Sequence, residues 1–260
     1  MDLNTWLGVA SGRFATALYI FTRLGALLFT APLISSKSVP NPVRVGLSGM
    51  LALTLAPLSA PSPVDGMPAL AAGMIKELLI GLVLGWTASM FYSCAQIAGE
   101  WLDLQAGFQA SQLTNPSFNT HNAVLGNFSY MLAGLVFLGT GGYAIMLRAA
   151  VRSFAVSPPG ALRLNLGMAG DWTSLLAQVI WIALQLAAPV AAALFLSEIA
   201  IAFISRAMPQ MNVLMLTLPA KSGLAIGALA LSLPVVARAL EIAFGHMAVS
   251  LASIVRAMGR

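Results

Sequence analysis

Long apolar runs, interrupted by very few charges, constrain this chain more than any motif in it. Only 8% of its 260 residues are Asp, Glu, Lys or Arg, and 59% are hydrophobic. Soluble domains carry roughly 25% charged residues. A water-soluble fold could not cover its surface with so few charges. The chain is therefore a polytopic helical membrane protein, one membrane domain with no room for a separate soluble one.

A helical span needs about 20 apolar residues. Candidate runs cover residues 14–34, 45–58, 69–98, 123–147, 172–204 and 213–236, with a last amphipathic piece at 237–258. The N-terminal segment has an acid at position 2 and no basic residue before Arg13, so it reads as an uncleaved first helix. Pro40 and Pro42 forbid a continuous helix between the first two runs, and Pro57, Pro61, Pro63 and Pro68 make a stiff turn after the second. The third run is too long for one simple span. Its small residues Gly81, Gly85, Ser89 and Ser93 recur every four positions, a spacing that lets two helices approach closely in lipid or packs within the subunit. Gly223 and Gly227 repeat the spacing in the sixth run. Pro189 and Pro219 suggest broken helices.

Charge placement produces a conflict. Basic residues mark the cytoplasmic side, so the segments holding Lys37 and Arg44, and Arg148, Arg152 and Arg163, both belong there. With one span per run they fall on opposite sides. Either the third run bends back as a hairpin, or the chain is not a simple serpentine. The net charge of +5 is spread thinly, which fits positive-inside asymmetry and not a nucleic-acid partner.

Signs of catalysis are poor. His121 and His246 have no partner at metal-ligand spacing, and no GxSxG, HExxH or phosphate-loop pattern occurs. Cys94, the single cysteine, reads as a small buried hydrophobe. Neither enzyme activity, cofactor nor metal is expected. Charges inside apolar runs are better pointers, because each costs roughly 2.5–3.5 kcal/mol at a helix centre. Arg23, Glu198 and Arg206 are the candidate buried charges, with Lys76 and Glu77 at the start of the third run. Arg23 and Glu198 should face protein or trapped water, whereas Lys76 and Arg206 lie near run ends and can snorkel. Between the third and fourth runs lies the longest polar interruption, residues 96–128, which holds Glu100 and Asp103 but no Lys or Arg. The two acids share a helix face, a spacing that could suit acid/base work or cation binding, and read first as a solvated helix end.

Four blocks together resemble the FliR family of bacterial type III export proteins. They are RLGALLFTAPLISSKSVPNPVRVGLSGMLALTLAP, KELLIGLVLGWTASMFYSCAQIAGEWLDLQAGF, LVFLGTGGYAIMLRAAVRSFAVSPPG and AAPVAAALFLSEIAIAFISRAMPQMNVLMLTLPAKSGLAI. They cover almost the whole chain in the family's order. Gly142-Tyr143 is a departure, since flagellar relatives usually carry Gly-His there. RAMPQMNV at 206–213 is more similar to the flagellar branch than to the virulence injectisomes.

The resemblance implies an all-α membrane protein of six to seven long apolar helices in tilted, broken hairpins, partly above the bilayer plane. That arrangement would account for the topology conflict. It further implies a structural subunit that joins other export-gate membrane proteins in a closed-pore helical complex in the bacterial inner membrane, at the flagellar basal body. An export-switch membrane protein, unfolded substrate proteins and the lipid bilayer are the other expected partners; nucleic acid is not. In such proteins the loop equivalent to 105–122 plugs the pore, which would give that part to Gln105, Gly107, Phe108, Gln112, Asn115, Pro116 and Asn119. Gly81, Gly85, Ser89, Gly223 and Gly227 would serve packing and assembly. An injectisome subunit is the alternative. A small-molecule or ion transporter, with a midplane site near Pro189, Glu198, Pro219 and Lys221, is the more distant rival.

Overall fold

In a computed structural model, residues 3–36, 39–62, 66–108, 123–160, 169–208 and 213–258 are described. These residues form seven α-helices and no strand: α1 (Leu3–Thr30), α2 (Asn41–Leu55), α3 (Met67–Ala106), α4 (Val124–Gly139), α5 (Gly142–Val156), α6 (Ala169–Ala207) and α7 (Val213–Ala257). A short 3₁₀ turn, Ala56–Leu58, follows α2.

The helices depart from the sequence runs in ways that have physical causes. The third run does not fold back as a hairpin; α3 is one helix of 40 residues. At about 1.5 Å per residue it is roughly twice as long as a bilayer core is thick. The parity conflict is thus resolved in favour of a chain that is not a serpentine of equal spans. Among the described residues, three helices are long and apolar enough to cross a membrane: Met67–Ala106, Trp172–Ala207 and Thr217–Ala257. The expected breaks at Pro189 and Pro219 do not occur, nor does Pro234 end a helix. Each proline removes one intrahelical bond, and the apolar turns on either side keep the helix going. For the same reason the sixth run and the terminal amphipathic piece are one helix, α7.

Conversely, the fourth run, expected as one span, is bent by 64° between α4 and α5. Gly141 makes the bend, with φ +69 in the left-handed region, where a side chain would be strained. At the start of α2, Pro42 occupies the first helical turn, where its missing N–H costs nothing.

Two compact units are built from interleaved segments. The first comprises Met1–Met90, Gly141–Ser174 and His246–Arg260, and the second Phe91–Thr140 and Leu175–Gly245. In the first, α3 lies against α1 at near-backbone distance. A methyl on Gly81 would overlap the Arg23 carbonyl and the Ala26 side chain, and one on Gly85 would meet Thr30 Oγ1 and lie 2.8 Å from the Leu27 carbonyl. One turn further, Ser89 Oγ donates to the Thr30 carbonyl. The stripe of small residues therefore serves contact within the subunit. In the second unit, aromatic rings form the centre. Tyr92 meets Tyr130 edge-on at 4.7 Å and Phe137 at 6.0 Å, and Phe137 meets Phe244 at 5.1 Å. The Tyr92 hydroxyl is satisfied by the Tyr130 carbonyl at 2.7 Å. Gly223 and Gly227, by contrast, have nothing within 4 Å of a would-be Cβ.

Gly85→Leu should destabilise the folded protein by about 1–3 kcal/mol or more, because inserted methylenes have no space against α1. Gly223→Leu should leave the fold unchanged. Thermal melting and yield of detergent-extracted protein check both, and equal melting of Gly85→Leu and the parent would show that the α1–α3 approach is not needed.

Candidate functional site

Two polar constructions lie inside the apolar packing, and each consumes groups that the sequence left without partners. The first begins at Arg23, which is 0% exposed in the last third of α1. An unpaired guanidinium there would be expensive, and Glu77 of α3 answers it: Arg23 Nε donates to Glu77 Oε2 at 2.5 Å. The other two guanidinium nitrogens each find an acceptor as well. Nη1 donates to Ser153 Oγ of α5 at 2.8 Å, and Nη2 to the Ser157 carbonyl at 3.1 Å. Glu77 Oε1 accepts from the Gly160 amide at 3.1 Å. Phe154 lies under the guanidinium, 4.3 Å from ring centroid to carbon, a cation–π contact.

One ion pair thus joins α1, α3, α5 and the Pro158-Pro159-Gly160 turn. The same turn is held again where Ser62 Oγ donates to the Pro159 carbonyl at 2.6 Å, and Ser62 N–H donates to Thr16 Oγ1 at 2.9 Å. The charge of Arg23 is legible in the sequence, and so is that of Glu77. Their pairing is not, since 54 residues separate them.

The second construction closes the base of the central polar stretch. Asp103 is buried, not part of a solvated helix end as its spacing with Glu100 suggests. Its Oδ1 accepts from the Leu125 amide and its Oδ2 from the Gly126 amide, both at 2.9 Å. These are first-turn amides of α4, which have no intrahelical acceptor. Ala123, at the N-cap position, supplies no side-chain cap, so a carboxylate from α3 does the work across 22 residues. The helices meet closely here. A methyl on Gly99 would lie 2.5 Å from the Leu125 carbonyl, and one on Gly126 would lie 2.9 Å from Glu100 Cγ. Asp103 and Gly99 are helix-joining positions that local motif reading misses. The available signal was an α4 start with no capping residue of its own.

Of the expected plug residues, Gln105 lies in the last turn of α3, and Gly107 and Phe108 just beyond it. Gly107 has φ +80, and Gln105 has a buried Oε1 without a hydrogen-bond partner. Gln112, Asn115, Pro116 and Asn119 lie outside the described residues, as does His121. Among the candidate buried charges, Glu198 and Arg206 are exposed on the chain itself, in contrast to Arg23. They are uncovered because α6 turns that face outward, so any further cover comes from outside the chain. Glu198 Oε1 receives Lys221 Nζ at 2.7 Å, so these two charges satisfy each other. Among the described residues no group of three or more His, Cys, Asp or Glu is placed to hold a metal.

The fold and these two constructions define a multi-pass helical membrane protein that spends its internal polar groups on joining helices. Comparison with known proteins places it further. A family model described as "Bacterial export proteins, family 1" matches residues 14–247, and the chain belongs to that family. It is 31% identical over 217 residues to the flagellar biosynthetic protein FliR of Bacillus subtilis (strain 168), covering 80% of this chain and 82% of the relative. To the Escherichia coli (strain K12) protein of the same name it is 28% identical over 234 residues, 90% of each. The Yop proteins translocation protein T of Yersinia pestis is 27% identical over 217 residues, 81% of this chain and 82% of the relative.

A double-mutant cycle on Arg23 and Glu77 should separate the pair from its parts. Arg23→Met or Glu77→Leu alone strands a buried charge and should cost about 3–5 kcal/mol, whereas the double substitution should recover most of that loss. Thermal unfolding in detergent reads the cycle, and additive losses would mean that the two charges do not depend on each other.

Proposed function

We propose that this chain is a non-enzymatic structural subunit of the flagellar type III protein export gate. It helps to form and close the channel through which unfolded flagellar proteins leave the inner membrane. The observation that carries this reading is the family match, which runs along residues 14–247 rather than over one motif. Five relatives named flagellar biosynthetic protein FliR are 27–31% identical, against 27% for a Yop proteins translocation protein T and 28% for a surface presentation of antigens protein SpaR, and the two highest identities are both flagellar. The geometry agrees with a passive part. Arg23, Glu77 and Asp103 are committed to interhelix bonds. A transporter site at broken helices loses its support, because α6 and α7 run unbroken through Pro189 and Pro219 and Glu198 is paired with Lys221.

In this reading the subunit works inside a complex of other export-gate membrane proteins and an export-switch protein, at the basal body. The outward apolar side chains of α6 and α7, such as Phe195, Phe203 and Leu231, offer surface for lipid or for such neighbours. Deleting the gene in the source bacterium should abolish motility and secretion of flagellar hook and filament proteins, with rescue by the intact gene. Retained motility with lost secretion of host-directed effectors would move the protein to the injectisome branch. Retention of both would refute an export role.

The polar segment between α3 and α4 closes the channel in this proposal. Its support is the base: Asp103 ties the start of α4 to the end of α3, so the segment leaves and re-enters at a fixed point. Removing residues 110–119 should preserve assembly and make the closed gate leak ions in planar-bilayer recordings. Normal assembly with unchanged conductance would count against the plug.

A further inference from the structure

One concentration of charge in the first unit has no part in the constructions above. Arg148 and Arg152 lie one turn apart on α5, and Arg256 lies in the last turn of α7; all three are exposed. Together they edge a single cavity of about 530 Å³ whose floor includes Ala149, Ala252 and Val255. The same Arg148 and Arg152 edge a second hollow of about 390 Å³, otherwise walled by Ala144, Leu147 and Val151. Among the described residues no carboxylate lines either hollow, and Glu77 of the same unit is buried on Arg23. Three guanidinium groups therefore share one apolar hollow with no acid to neutralise them. Arg256 gains something from the carbonyl end of α7, where its Nε donates to the Ala252 carbonyl at 3.3 Å. Arg148 and Arg152 have only mutual repulsion at their four-residue spacing.

The chemistry that satisfies both halves of this arrangement is specific. Guanidinium groups bind phosphate in a bidentate way and are favoured over lysine wherever that geometry matters. A free phosphate would use the arginines but gain nothing from an alanine and valine floor. An acidic peptide would bring backbone N–H and C=O groups onto that floor and leave them unpaired. A phospholipid has a phosphate for the rim and acyl chains for the hollows. We propose that this cavity is a binding site for an anionic glycerophospholipid, with the phosphate on Arg148, Arg152 and Arg256 and the acyl chains along the two hollows. Basic pockets between membrane helices recognise such headgroups in this manner.

Lipid retention tests the site. The protein is extracted in mild detergent with whatever chains accompany it, reconstituted in phosphatidylcholine vesicles doped with phosphatidylglycerol, re-extracted, and its bound lipid weighed by native mass spectrometry. Phosphatidylglycerol should be retained in preference to phosphatidylcholine. The preference should fall about fivefold for each arginine removed in R148Q/R152Q and in R256Q. Ala252→Trp keeps every charge but fills the floor, and it should lower retention as well; should R148Q/R152Q fail to fold, Ala252→Trp and R256Q carry the test. Added inorganic phosphate should leave the retained lipid unchanged. Equal retention of both lipids by the parent protein overturns the proposal. So does full retention by Ala252→Trp, which would reduce the effect to diffuse surface charge. Displacement by inorganic phosphate would show a free-anion site, and a protein segment cross-linked into the cavity would show a peptide site; either result also overturns it.

Discussion

The buried pair of Arg23 and Glu77 is the interaction on which the first unit depends. A guanidinium with no exposure to solvent is tolerable only when its charge is matched and its N–H groups are all directed at acceptors. Here one acceptor lies on α3, one on α5 and one at the residue that ends α5, one for each guanidinium nitrogen. That requirement fixes the rotation of α1 about its axis, the height of α3 beside it, and the place where α5 ends. The glycines at 81 and 85 follow from the same contact, because Glu77 reaches Arg23 only if the two backbones lie close. Charge and small residues on α3 are thus two halves of one device.

In the second unit a single carboxylate plays a comparable part by different physics. Asp103 faces no cation; it faces the positive end of α4, where two amides would otherwise lack acceptors. The bond closes the polar stretch at its base. Under the proposal that this stretch closes the channel, a segment with fixed ends could lie across a pore without being free to slide out of it. Clamping the ends costs the protein one buried acid and two glycines, Gly99 and Gly126, that let α3 and α4 meet.

Membrane burial makes both devices economical. Where few charges exist, each can be assigned a helix-joining task, and the surface is left apolar for lipid and for neighbouring chains. Glu198 and Lys221 show the boundary of this rule. They pair with each other on the outside of the subunit, on helices whose outward side chains include Phe195 and Leu231.

What the sequence determined by itself was the class and the parts. The scarcity of charge required a helical membrane protein, the apolar runs marked where helices lie, and the ordered family blocks pointed to bacterial export. The cost of burying Arg23 was readable too, as was the close-packing spacing of Gly81 and Gly85. Local sequence could not say where helices join or break. Pro189 and Pro219 look like breaks yet lie inside continuous helices, while Gly141 bends a run that looks uniform. Propensity is a local cost, and apolar packing along a long helix outweighs it. Nor could the sequence assign Glu77 to Arg23 or Asp103 to Leu125 and Gly126, because these bonds span 54, 22 and 23 residues. Only the tertiary structure decided them, since a buried polar group is satisfied by whatever lies near it in space, and sequence separation carries no information about that distance.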